Sequence, residues 1–189
     1  SAHLHAKRFA EAERLLSMVP GRSTLGGRAA ELLARARNAD GRRADAIEGL
    51  EGFAKAAPDE RPEVWHLLAS YREAVGDAAG TREARQELAS RFPKQPLGED
   101  AAKALGPTPE FTAEQQLRRG RLYFRGHRHR LALKALETAA EGFPRFSEPR
   151  CEALTLMART HDKLKQRDAA WRLYNRTLGC EGEHLANTT

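Results

Sequence analysis

The chain has 189 residues, with 32 Lys and Arg against 26 Asp and Glu for a formal net charge of +6. That length suffices for one compact domain or one run of small repeats, and no apolar run is long enough to span a membrane. Alanine occurs 33 times while valine and isoleucine together total four, so strand-forming residues are nearly missing and a sheet is excluded in favour of an all-α protein.

In chain order, Ser1-Ala2 leads straight into a helical pattern, with no basic n-region, apolar h-region or cleavage site of an export signal. A lone helix is expected over about residues 3–18, the second member of a pair whose first would precede Ser1. Beyond it the chain repeats. Ala12, Ala46, Ala84, Ala132 and Ala170 each stand four residues before a larger apolar side chain: Leu16, Leu50, Leu88, Leu136 and Tyr174. Four residues is about one helical turn, so each pair lies on one stripe. Twelve residues after three of these alanines come Pro58, Pro96 and Pro144, which cannot continue a helix and mark an exit into the next unit. Upstream of each complete unit a first helix carries a small residue among larger ones: Leu33-Ala34, Trp65 with Leu68-Ala69, Gly120 with Tyr123, and Leu154 with Met157-Ala158. Small residues there let two helices approach closely. The pattern predicts antiparallel hairpins with turns near 40–43, 76–80, 126–129 and 165–167.

This set resembles the tetratricopeptide repeat, in which a bulky, a small and an aromatic residue lie on the first helix, an alanine opens the second and a proline closes the unit. The spacing from Ala12 to Ala46 is 34 residues, the length of that repeat, and the later spacings are 38, 48 and 38. The resemblance implies a superhelical solenoid of stacked hairpins. Its expected parts are residues 1–96 (a lone helix and two hairpins), a linker with a short helix over 97–111, and two further hairpins over 112–189, all in one continuous solenoid domain. Stacked hairpins make concave grooves, so the function implied is non-catalytic binding of a protein or peptide.

Residues 105–137 also resemble the helical region that precedes the catalytic domain in bacterial soluble lytic transglycosylases, through Thr112, Glu114, Leu117, Arg118, Leu122, Gly126, Ala132, Leu133 and Leu136. That resemblance implies a periplasmic location and contact with peptidoglycan. The lysozyme-like domain that would bear the catalytic acid is absent from this sequence, so the segment would be the non-catalytic part.

Local chemistry adds further expectations. Gly126-His127-Arg128-His129 falls where other units have an interhelical turn, and His127 and His129 bring no third or fourth ligand, so no metal is expected. His3 and His5 carry the same weak metal signal, and His66 and His161 read as scaffold residues within first helices. There is no phosphate loop, GxSxG elbow or HExxH, so neither catalytic residues nor a cofactor is expected. Arg118, Arg121, Arg125 and Arg128 recur at helical spacing and form a candidate stripe for a polyanion or an acidic partner, with Tyr123 and Phe124 expected in the core. Nucleic acid is the third-ranked partner, after protein and peptidoglycan, because no exposed aromatics interleave the arginines. Cys151 and Cys180 stand at nearly equal distances from the last predicted turn, which would bring them to one height on two antiparallel helices. A disulfide between them is expected, and with it a periplasmic or other exported location.

Overall fold

The computed structural model describes residues 10–16, 18, 19, 25–106 and 109–186, with side chains as far as residue 178. Residues 10–16 are helical (α1). There follow α2 (Gly26–Ala39), α3 (Arg43–Ala56), α4 (Pro62–Ala74), α5 (Ala78–Arg91), α6 (Pro96–Ala104), α7 (Ala113–Arg125), α8 (His129–Gly142), α9 (Glu148–Lys163) and α10 (Arg167–Ala186). Among the described residues there is no strand, and no helix is long and apolar enough to cross a membrane. Of the lone helix expected over 3–18, the part before residue 10 and residue 17 lie outside the described residues.

The chain divides into two units, residues 1–107 and 108–189. In the first, α2 packs on α3, α3 on α4, α4 on α5 and α5 on α6, while α2 also touches α4 and α4 touches α6. In the second, α7 packs on α8, α8 on α9 and α9 on α10, with α7 also against α9. Within each unit the helices of a hairpin thus pack on one another, successive hairpins meet, and first helices meet first helices. This is the tetratricopeptide-like arrangement. The short helix expected in the linker is α6, seated on α5 and α4 of the first unit. Pro96 is its first residue, where a missing N–H costs nothing.

Four hairpin turns share one backbone device. Gly41, Gly76, His127 and Lys165 hold φ of 80°, 79°, 57° and 60°. At each turn the amide of the next residue reaches back five positions: Arg42 N to Arg37 O at 2.9 Å, Asp77 N to Arg72 O at 3.0 Å, Arg128 N to Tyr123 O at 2.9 Å and Gln166 N to His161 O at 2.9 Å. The left-handed residue itself donates three positions back, as in Gly41 N to Asn38 O at 3.1 Å and His127 N to Phe124 O at 3.1 Å. These are Schellman caps, which satisfy the last carbonyls of the first helix while reversing the chain. His127 therefore does at its turn what glycine does at Gly41 and Gly76.

Counting from these turn residues corrects the repeat register. Ala46, Ala132 and Ala170 each stand five residues after their turn, and the matching residue in α5 is Thr81 rather than Ala84. Twelve residues past Thr81 is Pro93, the counterpart of Pro58 and Pro144, so Pro93 and not Pro96 closes that hairpin. The unit spacing from Ala46 to Thr81 becomes 35. Thr81 is buried like its alanine counterparts because its hydroxyl donates to Asp77 O at 2.6 Å, one turn back in the chain. Ala84 and Leu88 are also core residues, three residues round the same face.

Each unit has its own core. Ala34, Ala46, Leu50, Val64, Leu68 and Ala84 centre the first, and Leu117, Tyr123, Ala132, Leu136, Leu154 and Ala158 the second. Gly120 fits the expectation of a small residue at the helix crossing: a Cβ there would lie 2.5 Å from both Cγ and Cδ2 of Leu136.

Candidate functional site: an arginine-lined cleft

In the second unit the first helices of the two hairpins, α7 and α9, border a cleft of about 490 Å³ lined by Arg121, Phe124, Arg125, Glu152, Leu156 and Arg159. The residues of α7 arrive there by periodicity. Leu117, Gly120 and Tyr123 face the core, which turns Arg121 and Arg125 outward on the next stripe. Thr112 sets the start of α7 with a capping box: its Oγ1 accepts from Gln115 N at 3.2 Å, and its own N–H donates to Gln115 Oε1 at 3.0 Å.

The three arginines differ in their surroundings. Arg121 makes a bidentate ion pair with Glu152 across the cleft. The hydrogen bonds Arg121 donates to Glu152 push its guanidinium above its ordinary pKa. Arg159 lies over the face of Phe124, 5.3 Å from its ring centroid, an attraction between cation and ring quadrupole. Arg125 is exposed. Neither Arg125 nor Arg159 has a carboxylate partner among the described residues. The cleft therefore offers two uncompensated cations beside the apolar surface of Phe124 and Leu156.

The first unit uses its arginines differently. Glu31, almost fully buried, is held by Arg28 at 3.0 Å, Arg35 at 3.2 Å and Arg61 at 3.0 Å. Glu13 takes Arg37 at 2.8 Å and Arg42 at 2.7 Å, and Arg72 reaches Glu51 at 2.7 Å and Glu83 at 3.3 Å. Residues 1–107 hold 17 Lys and Arg against 16 Asp and Glu, whereas residues 108–189 hold 15 against 10. Almost all the net positive charge belongs to the second unit.

Of the stripe expected from sequence, Arg121 and Arg125 line the cleft, while Arg118 and Arg128 do not. Tyr123 is in the core. Phe124 is partly buried against that core and also lines the cleft. Glu152, Leu156 and Arg159 were not anticipated. They are at least 27 residues from Arg125 in sequence, and only the packing of α9 on α7 brings them in. His127 and His129 meet edge-on with ring centroids 5.9 Å apart. No group of three or more His, Cys, Asp or Glu able to hold a metal occurs among the described residues. His3 and His5 lie outside the described residues. Cys151 is disulfide-bonded. The only other cysteine in the sequence is Cys180, in α10, whose side chain lies outside those described.

The transglycosylase-like pattern of residues 112–136 can be read position by position as hairpin architecture. Thr112 caps α7, Glu114 sits in its first turn, Leu117 enters the core, Gly126 caps the C-terminus, and Ala132 and Leu136 pack in the core of the second unit. Any helical hairpin of this kind would favour such residues.

No family model matches the chain, and no curated protein matches it. Among solved structures, the crystal structure of MamA is 17% identical over 94% of this chain and 89% of its own, with a TM-score of 0.40. A second MamA crystal structure is 18% identical over 96% and 87%, with a TM-score of 0.39. A Podosopora anserina kinesin light chain protein with nearly identical TPR-like repeats is 18% identical over 95% and 88%, with a TM-score of 0.41. These superpositions are loose, so the assignment to tetratricopeptide-like hairpins rests on the helix pairing, Schellman turns and repeat register of the chain itself.

Proposed function

We propose that the chain is a non-catalytic interaction scaffold whose second unit binds an acidic, partly apolar segment of a protein partner in the cleft between α7 and α9. The observation that carries this reading is the pairing of two uncompensated guanidiniums, Arg125 and Arg159, with Phe124 and Leu156. Arg121 is already engaged by Glu152 and serves as the fixed wall between the helices. Guanidinium forks match carboxylates bidentately, and the apolar pair would take a leucine or aromatic residue next to the acids. An exported location, the periplasm in a bacterial cell, is supported by the disulfide at Cys151, because such bonds persist in oxidising compartments.

The test is a fluorescence-anisotropy titration with an acidic peptide containing interspersed leucines. Binding should weaken as salt rises and fall about tenfold or more in Arg125→Glu/Arg159→Glu, both exposed positions whose reversal leaves the core untouched. Equal binding by the double variant would sink the reading. Stronger retention of peptidoglycan sacculi than of the peptide at about 0.15 M salt would favour the cell-wall alternative, and stronger retention of single-stranded nucleic acid the third.

A further inference from the structure

We propose that the second unit carries a separate binding site for a phosphate monoester, in the pocket of about 280 Å³ framed by Arg145, Phe146, Arg150, Leu154 and Arg176. It lies on the opposite side of α9 from the cleft. Arg150 and Leu154 are each two residues from Glu152 or Leu156, which is about 200° around the helix.

Three observations converge on it. The first is charge. The pocket gathers three arginines from the α8–α9 loop, α9 and α10, and among the described residues no carboxylate lines it. Arg150 donates to Phe143 O at 3.1 Å, while Arg145 and Arg176 have no partner among the described residues.

The second is the contrast with the equivalent corner of the first unit. There Arg91 is clamped between Asp59 at 2.6 Å and Glu87 at 2.6 Å. Asp59 is one residue past the exit proline Pro58, as Arg145 is past Pro144. Glu87 is eleven residues past the left-handed Gly76, as Arg176 is past Lys165. Both acids of the first unit are thus arginines in the second. A corner closed by its own ion pairs in one repeat is left cationic and open in the other.

The third is the conformation of Phe146. Its φ is 61°, a region where a bulky residue is an outlier. The residue is 46% exposed, so core burial does not account for it. Ser147 holds the turn, its hydroxyl donating to Pro144 O at 2.8 Å. The result is an aromatic ring presented at the rim of a cationic pocket, with Leu154 below. Strained backbone of this kind is concentrated at ligand sites.

The geometry selects the ligand class. Three arginines on three separate segments line the pocket. A tetrahedral, dianionic phosphate has oxygens to meet all three, whereas the two coplanar oxygens of a carboxylate are satisfied by one or two forks. Phe146 and Leu154 would pack on an apolar or aromatic group esterified to that phosphate.

Calorimetric titration of the full chain with phenyl phosphate tests this. Saturable binding is expected with a dissociation constant on the order of 0.1–1 mM, the range a ligand of that size allows. Arg145→Glu/Arg176→Glu should weaken it by about tenfold or more, with helicity and melting unchanged because both side chains are exposed. Arg176→Lys, which keeps the charge and loses the planar fork, should give a smaller loss. Phe146→Gly should remove the advantage of phenyl phosphate over inorganic phosphate, and benzoate should bind several-fold more weakly than phenyl phosphate. A phosphoserine peptide with apolar neighbours separates the two sources of such an ester: tighter binding than phenyl phosphate indicates a modified partner, weaker binding a small molecule. Absence of saturable binding, equal affinity for benzoate, or indifference to the double reversal would overturn the proposal. So would loss of phenyl phosphate binding in Arg125→Glu/Arg159→Glu, since that would assign the anion to the cleft on the other side of α9.

Discussion

Glycine at positions 127 and 165 should stabilise the second unit. Both His127 and Lys165 hold left-handed backbone at the Schellman turns, with φ of 57° and 60°. In that conformation the Cβ of an L-residue crowds the following carbonyl at roughly 1–2 kcal/mol. Glycine escapes this cost but loses more chain freedom on folding, roughly 0.5–1 kcal/mol. The balance favours glycine by about 0.5–1 kcal/mol at each site. Little opposes it, since both side chains are exposed and His127 offers only an edge-on contact with the His129 ring. The converse holds in the first unit. A Cβ added at Gly41 or Gly76 would meet no atom within 4 Å, so alanine there carries the conformational cost alone and should destabilise by about the same amount.

Urea unfolding followed by far-UV circular dichroism measures both effects. For His127→Gly/Lys165→Gly the two increments should add to about 1–2 kcal/mol, the turns being independent. With a slope of about 2 kcal/mol per molar urea, the midpoint should rise by roughly 0.5–1 M at unchanged slope. An unchanged or lowered midpoint would refute the assignment of these residues as turn caps under conformational strain. Tight zinc binding abolished by His127→Gly would revive the metal reading.

Three further outcomes follow from the packing. Gly120→Ala should cost about 1–3 kcal/mol in the same assay, because its Cβ would press on Cγ and Cδ2 of Leu136 in the core. Glu31→Gln should destabilise the first unit by about 2 kcal/mol, less than for a fully buried pair because Arg28 and Arg35 are half exposed. Burial by itself raises the Glu31 carboxyl, but hydrogen bonding and charge from Arg28, with Arg35 and Arg61, outweigh it and hold its pKa below the ordinary 4.5. Its stabilisation is therefore complete above about pH 4.5 and lost as pH falls through the lowered value, and Glu31→Gln should flatten that acid limb. If Cys151 pairs with Cys180, reduction or Cys151→Ser should cost about 3.5 kcal/mol for a closed loop of about 30 residues, and unreduced denatured protein should show no free thiol.

The sequence made the helices and hairpins legible because local rules govern them. Alanine abundance, scarce β-branched residues and small-large pairs one turn apart all point the same way. The register of α5 was not legible, for a specific reason. Ala84 and Thr81 lie one turn apart on one face, and a repeat search keyed on alanine selects the wrong one. Thr81 passes as a core residue only because its hydroxyl is satisfied within its own helix, which composition does not reveal. The site divides in the same way. Arg121 and Arg125 could be found from helical spacing, but Arg159 and Glu152 required the packing of α9 on α7. Arg145 and Arg176 stand 31 residues apart and were invisible as a pair until the turns fixed the repeat register.

That register also shows where the two units are constrained and where they diverge. Positions fixed by the hairpin itself accept few residues: a left-handed turn residue, a small buried residue five further on, and an exit proline twelve beyond that. Gly41, Ala46 and Pro58 satisfy this set, as do His127, Ala132 and Pro144. Positions outside it carry no such constraint, and there the units are opposite in electrostatic character. Arg72, only 14% exposed, is surrounded by Glu51, Asp77 and Glu83, whereas the exposed Arg125 and Arg159 have no described carboxylate partner. If the arginines served only solubility, nothing would require them to converge from separate helices on pockets that also present Phe124 or Phe146. Cations placed beside accessible apolar rings and withheld from internal carboxylates keep their binding capacity for an external anion. In the first unit that capacity is used internally, to hold the helices to one another.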